Sequence, residues 1–227
     1  MTPRLPDRLV QLVAPAASPH HEESPRVIRR RRIIAAVTLV VGTTLLGLAL
    51  TRPQGSQAFN VLAAVLAGVW LVGGLISGPV HLGRGRTGRR PIVYPLLAGV
   101  LAFGVFALGA EAVSCIPTLH HAVDDIIKRA DTGSRALIVA ITIVNGIGEE
   151  VFFRGSLYST FGPRRPVVWT TVVYVIGTAA SGNAMLVFAA ALMGTVFALQ
   201  RRATRGILAS TLTHVTWSTL MIFLLPR

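Results

Sequence analysis

The stretch NGIGEEVFFRG, from Asn145 to Gly155, sets two adjacent acids, Glu149 and Glu150, at the end of an apolar run that begins near Ala136. Three apolar residues, Val151, Phe152 and Phe153, follow at once, and then Arg154. The chain has 9 acidic residues in 227, so two side by side in such a run call for a physical reason. A charge at the centre of a bilayer costs about 2.5–3.5 kcal/mol on insertion scales. An arginine four residues after Glu150 shares its helix face and can offset that cost as an ion pair. Glu149 points about 100° away on a helix of 3.6 residues per turn and faces a different neighbour.

Composition supports a membrane setting for this run. Hydrophobic residues make up 52% of the chain and charged residues 14%, against roughly 25% charged in a soluble domain. The mean hydropathy is +0.62. The formal net charge of +13 lies in short arginine clusters between apolar segments. That distribution, without an aromatic-interleaved basic patch, points away from nucleic acid as a partner. The single cysteine, Cys115, excludes an internal disulfide and a multi-thiolate metal site.

Outward from the opening stretch, seven segments read as candidate spans: 33–50, 58–76, 92–113, 136–153, 167–180, 184–199 and 207–225. A span takes about 20 apolar residues, so the fifth and sixth are short. Only Ser181, Gly182 and Asn183 separate them, which predicts a tight turn between two helices. The fold class is therefore all-α, a polytopic transmembrane helix bundle of about seven spans. Loops rich and poor in arginine alternate, beginning with the run at residues 29–32, and this pattern places the N-terminus in the cytoplasm. Residues 1–32 read as a disordered basic cytoplasmic tail without a cleavable signal. Residues 33–134 read as N-terminal transmembrane helices, and 135–227 as the segment that carries the chemistry.

The other intramembrane polar residues fall at compatible depths. His214, in LTHVTWS, lies about 12 Å along the seventh segment at 1.5 Å per residue. Ser218 follows four residues later on the same face. Tyr174 and Thr178 of the fifth segment reach a similar depth. Glu149 and His214 are thus expected to converge in one cavity, as an acid–base pair able to activate water. The bland alternatives stay open at this point. The acids and Arg154 could form a structural ion network, His214 could be a packed histidine, and Thr178 and Ser218 could join helices through hydroxyl hydrogen bonds. His120 and His121 beside Asp124 and Asp125 read as a solvated loop.

From about Arg135 to the C-terminus the chain resembles the CPBP family, intramembrane proteases that include the CAAX prenyl endopeptidases and bacteriocin-processing or lysostaphin-resistance proteins. The resemblance rests on E-E-x-x-x-R, present as Glu149, Glu150 and Arg154, followed by Gly155, the turn at Gly182 and Asn183, Gly194 and the late His214. Two positions differ. The family's F-x-x-x-H is YVIGT here, with Tyr174 and Thr178, and its H-x-x-x-N or H-x-x-x-D is HVTWS, with Ser218 last. The resemblance implies a four-helix catalytic core. It also implies an intramembrane endopeptidase, with Glu149 as general base, His214 as the surviving histidine, Thr178 and Ser218 as hydrogen-bond donors, and a peptide or protein substrate. A second possibility is a catalytically impaired member acting as a membrane binding or scaffold protein; a third is a small proton- or cation-coupled transporter.

The family label suggests a divalent metal such as zinc. A catalytic zinc takes three protein ligands, and Glu149, Glu150 and His214 with Arg154 beside them make a poor set, so no cofactor is expected. The bilayer is the expected partner, and a bacterial plasma membrane the expected location. The sequence does not specify an oligomeric state.

Overall fold

The computed structural model describes residues 25–53, 56–85, 88–113, 135–162 and 165–224. Among them the chain forms seven helices and no strand: α1 (Pro25–Leu50), α2 (Gln57–Ser77), α3 (Val93–Val113), α4 (Arg135–Thr160), α5 (Pro166–Ala179), α6 (Ala184–Thr204) and α7 (Leu208–Leu224). Five of these, α1 to α4 and α6, are long and apolar enough to cross a membrane. Helix α5 has 14 residues and α7 has 17. Their outer faces carry apolar side chains that would be costly in water, such as Val40 on α1, Leu101 and Leu108 on α3 and Ile176 on α5. The chain is an integral membrane helix bundle.

Each helix falls on an expected span, and three run well past their expected bounds: α1 from Pro25, α4 to Thr160 and α6 to Thr204. Helix α1 begins at Pro25, so the arginines at 29–32 are helical rather than part of the tail. Proline suits the first position of a helix, where its missing N–H has no partner to lose. A second extension lies at the end that carries the acids. Helix α4 runs on past Phe153 to Thr160, because Arg154, paired and fully buried, does not act as a membrane boundary. The two acids consequently sit well inside the helix, more than two turns from its Thr160 end. The loop beyond Val113, with His120, His121, Asp124 and Asp125, lies outside the described residues, as does the tail up to residue 24.

Helix α4 occupies the centre, packed against α2 and α7 and touching α1, α5 and α6. Small residues let the backbones close. A Cβ on Gly148 would stand 2.9 Å from the Ala67 carbonyl oxygen of α2. On the same side Trp70 stacks on Phe152 at 4.8 Å and tilts against Phe153 at 5.2 Å, forming the core with Leu66, Ala35 and Leu157. Without water competing for side-chain packing, such close van der Waals contact drives helix association in lipid.

Two loops fix the helix ends. Asn183 caps α6, its Oδ1 accepting from Met185 N at 2.9 Å and Leu186 N at 3.1 Å. Gly182 before it has φ +66°, a left-handed turn conformation that glycine adopts without a Cβ clash. The turn expected from Ser181, Gly182 and Asn183 is there. At the other end of α6, the loop after α2 closes over the start of α7. Ile207 N donates to His81 O at 2.9 Å and Leu208 N to Leu82 O at 3.0 Å, which satisfies N–H groups left over at the helix start.

Candidate active site

The site is built around eight consecutive residues of α4. From Glu150 to Leu157 the helix is π-helical, with Tyr158 N–H reaching back five residues to Phe153 O. All eight are buried. Short π-helical segments in α-helices occur often at functional sites. This one begins at the second acid and contains Arg154.

Glu150 is the hub of one cluster. Its Oε1 accepts from Arg154 Nη1 at 3.0 Å and lies 3.1 Å from His214 Nδ1 on α7. Glu150 and Arg154 are completely buried. Arg154 also donates from Nη2 to Gly194 O on α6 at 3.1 Å. Its guanidinium lies between two rings, 4.7 Å from Tyr174 and 5.1 Å from Phe197, and such contacts reach about 2 kcal/mol when desolvated. His214 stacks in turn on Phe197, at 4.7 Å with 18° between the planes. The charge offset expected for Glu150 is thus present in Arg154, and His214 of a second helix adds a hydrogen bond to the same oxygen.

Glu149 faces elsewhere, as the helical angle predicts. Tyr174 Oη donates to its Oε2 at 2.7 Å. A cavity of about 20 Å³ lies at this carboxylate, lined by Thr43 and Leu46 of α1, Trp70 of α2, Phe153, Tyr174, Gly177 and Thr178. That volume admits about one water. Its polar lining comes from Glu149, Tyr174, Thr43 and Thr178.

The structure therefore brings Glu149 together with Thr178, and Glu150 together with Arg154 and His214. The expectation that His214 would share a cavity with Glu149 is not what the geometry shows: His214 is on Glu150 and does not line the cavity. The reason is rotational. His214 approaches from α7, on the face of α4 that Glu150 occupies, whereas the cavity opens toward α1 and α5. Nor are the two hydroxyls poised as donors. Thr178 Oγ1 donates to Tyr174 O at 2.8 Å and Ser218 Oγ to His214 O at 2.8 Å, each within its own helix. Ser218 joins the site only through the backbone of His214.

The Tyr174–Glu149 hydrogen bond is a contact that the motif alone does not predict. The signal was a phenol where the family motif has phenylalanine. The donor set also fails to fit a catalytic zinc. Glu149 meets a phenol and threonines, and Glu150 meets a guanidinium, which repels a cation. Among the described residues no three His, Cys, Asp or Glu come together.

Comparison with known proteins agrees with the motif. Searches of curated proteins and of solved structures find no match. Residues 132–220 match the family model described as Type II CAAX prenyl endopeptidase Rce1-like. The matched segment starts just before α4 and ends inside α7, so it contains Glu149, Glu150, Arg154, Tyr174, Thr178, His214 and Ser218. The chain is an integral membrane protein whose residues 132–220 are similar to the Rce1-like CAAX prenyl endopeptidase family.

Proposed function

We propose that the protein is an intramembrane endopeptidase that hydrolyses peptide bonds with water activated by Glu149. The carrying observation is the Glu149 carboxylate, held by Tyr174 at the wall of a water-sized cavity, within the segment similar to that protease family. Glu149 takes a proton from the water, and the hydroxide oxygen bonds to the scissile carbonyl carbon. His214, held at Nδ1 by Glu150 on another face of α4, does not line this cavity and supports the site through the Glu150–Arg154 network that fixes α4. Collapse of the tetrahedral intermediate breaks the C–N bond, and the proton held by Glu149 passes to the leaving amine. No metal takes part. The cavity is smaller than a peptide, so substrate must part the helices around it. With the N-terminus cytoplasmic in a bacterial plasma membrane, cleavage falls on the cytoplasmic side of the bilayer.

A second reading has an observation in its favour. Threonine stands in place of a family histidine, and the hydroxyls of Thr178 and Ser218 are spent within their own helices. A member that keeps the fold and binds a peptide or partner helix without cutting it would tolerate both. Expression of wild type, Glu149→Ala and His214→Ala in the native host, followed by comparison of membrane and secreted peptidomes, separates the two. Peptides lost in both variants at equal protein levels support proteolysis. Identical peptidomes support the binding protein.

A further inference from the structure

Helix α5 carries two departures from the family motif one helical turn apart, tyrosine at 174 and threonine at 178. The structure connects them. Thr178 gives its only hydroxyl hydrogen to Tyr174 O at 2.8 Å, so toward the cavity it offers lone pairs and no donor. The donor on this side of α5 is the phenol of Tyr174, which reaches Glu149 Oε2 at 2.7 Å.

The hydroxyl is placed by packing around its ring. Phe153 meets the ring edge-on at 4.8 Å and 68°, and the Arg154 guanidinium lies 4.7 Å from its centre. On the α6 side, Gly194 leaves room for it: a Cβ there would stand 3.0 Å from Tyr174 Cδ1. A phenylalanine could fill the same space and keep every one of these contacts. It could not bond Glu149. The ring also links the two clusters, since one face meets Arg154 of the Glu150 network while its hydroxyl holds Glu149.

We propose that Tyr174 is a positioning residue for Glu149, and that tyrosine at 174 compensates for threonine at 178. Without the phenol, Glu149 has no side-chain donor fixing its rotamer, and the carboxylate swings between cavity and wall. With it, Oε2 is tethered and Oε1 is left to take the proton of the water. This rests on the reading of Glu149 as the base, but the hydrogen bond itself can be tested without substrate.

The experiment uses the full-length protein in lipid. The infrared carboxylate band of Glu149 is identified as the band lost in Glu149→Gln, and then followed in Tyr174→Phe and in protein carrying 3-fluorotyrosine at position 174, which keeps ring and hydroxyl. The band is expected to shift in both. In the peptidase assay Tyr174→Phe is expected to lower kcat about 10–100-fold with KM unchanged, the range for losing a hydrogen bond to a charged group. Tyr174→Phe combined with Thr178→His is expected to recover most of that loss. An unmoved Glu149 band in both ring variants overturns the proposal, and so does an unchanged kcat in Tyr174→Phe. A band that shifts in a protein whose wild type cuts nothing supports the tether and counts against the proposed function alone.

Discussion

Glu150 and His214, 64 residues apart in the chain, meet at 3.1 Å in the interior of the bundle. Arg154 approaches the same carboxylate oxygen at 3.0 Å. One acid therefore joins α4 to α7, and through Arg154 and Gly194 O to α6. Removing one partner leaves an uncompensated charge where water does not reach, which costs about 3–5 kcal/mol. Arg154→Met and Glu150→Gln are each expected to destabilise the protein by about that much, read as a lower unfolding midpoint in detergent. The double variant is expected to lose less than the sum of the two, because each change removes the charge that the other strands.

Arg154→Lys tests geometry apart from charge. Lysine keeps the positive charge but lacks the planar fork that serves Glu150 Oε1 from one nitrogen and Gly194 O from another. It also stacks poorly between Tyr174 and Phe197. A loss of about 1–3 kcal/mol is expected, which is the cost of leaving a buried acceptor unmet. Wild-type stability in this variant would mean that the charge alone holds the three helices.

Glu149 is expected to behave in the opposite way. It is only partly buried, faces a cavity and has a neutral partner, so Glu149→Gln keeps the shape and a hydrogen-bonding group beside Tyr174. Its unfolding midpoint should stay close to wild type while peptide hydrolysis falls by 100-fold or more, about the contribution of a positioned general base. Stable and inactive Glu149→Gln against unstable Glu150→Gln would assign the two adjacent acids to chemistry and to structure respectively.

Much of this arrangement was legible in the sequence, for reasons that particular residues make plain. Seven apolar segments gave seven helices because a backbone in lipid must satisfy its own hydrogen bonds. The four-residue spacing of Glu150 and Arg154 gave the ion pair, and the angle between adjacent residues separated Glu149 from it. What the sequence could not show was which acid His214 would meet. That depends on the rotation of α7 against α4, fixed by packing such as that of His214 on Phe197. Depth along a helix follows from counting residues; azimuth does not. The extent of α4 was missed for a related reason, since Arg154 resembles a span terminus until its burial is known. Tyr174 was seen as an aromatic in the right place, and its hydroxyl acquired a role only when Glu149 was found beside it.

Asn183 offers a check on the fold that leaves the site alone. Its side chain accepts two N–H groups at the start of α6, and it lies in the short turn from α5. Asn183→Ala should cost about 1 kcal/mol, the usual value of such a cap. The unfolding midpoint should fall modestly with the peptidase rate retained. A large loss of activity instead would show that the α5–α6 turn controls the placement of Tyr174.

The last prediction concerns metal. A chelator strips a catalytic zinc whose three protein ligands are exchangeable, and the activity of such an enzyme falls with it. Here Glu150 is occupied by Arg154 and His214, and Glu149 has Tyr174 and threonine hydroxyls for company. Among the described residues, neither carboxylate has a second anionic or imidazole ligand free to complete a site with it. Peptide hydrolysis by the purified protein is expected to persist after dialysis against EDTA and 1,10-phenanthroline, and added zinc should not raise it. Loss on chelation with recovery by zinc alone would require Glu149 and His214 to rotate toward one ion, and would replace the glutamate-activated water with a metal-bound one.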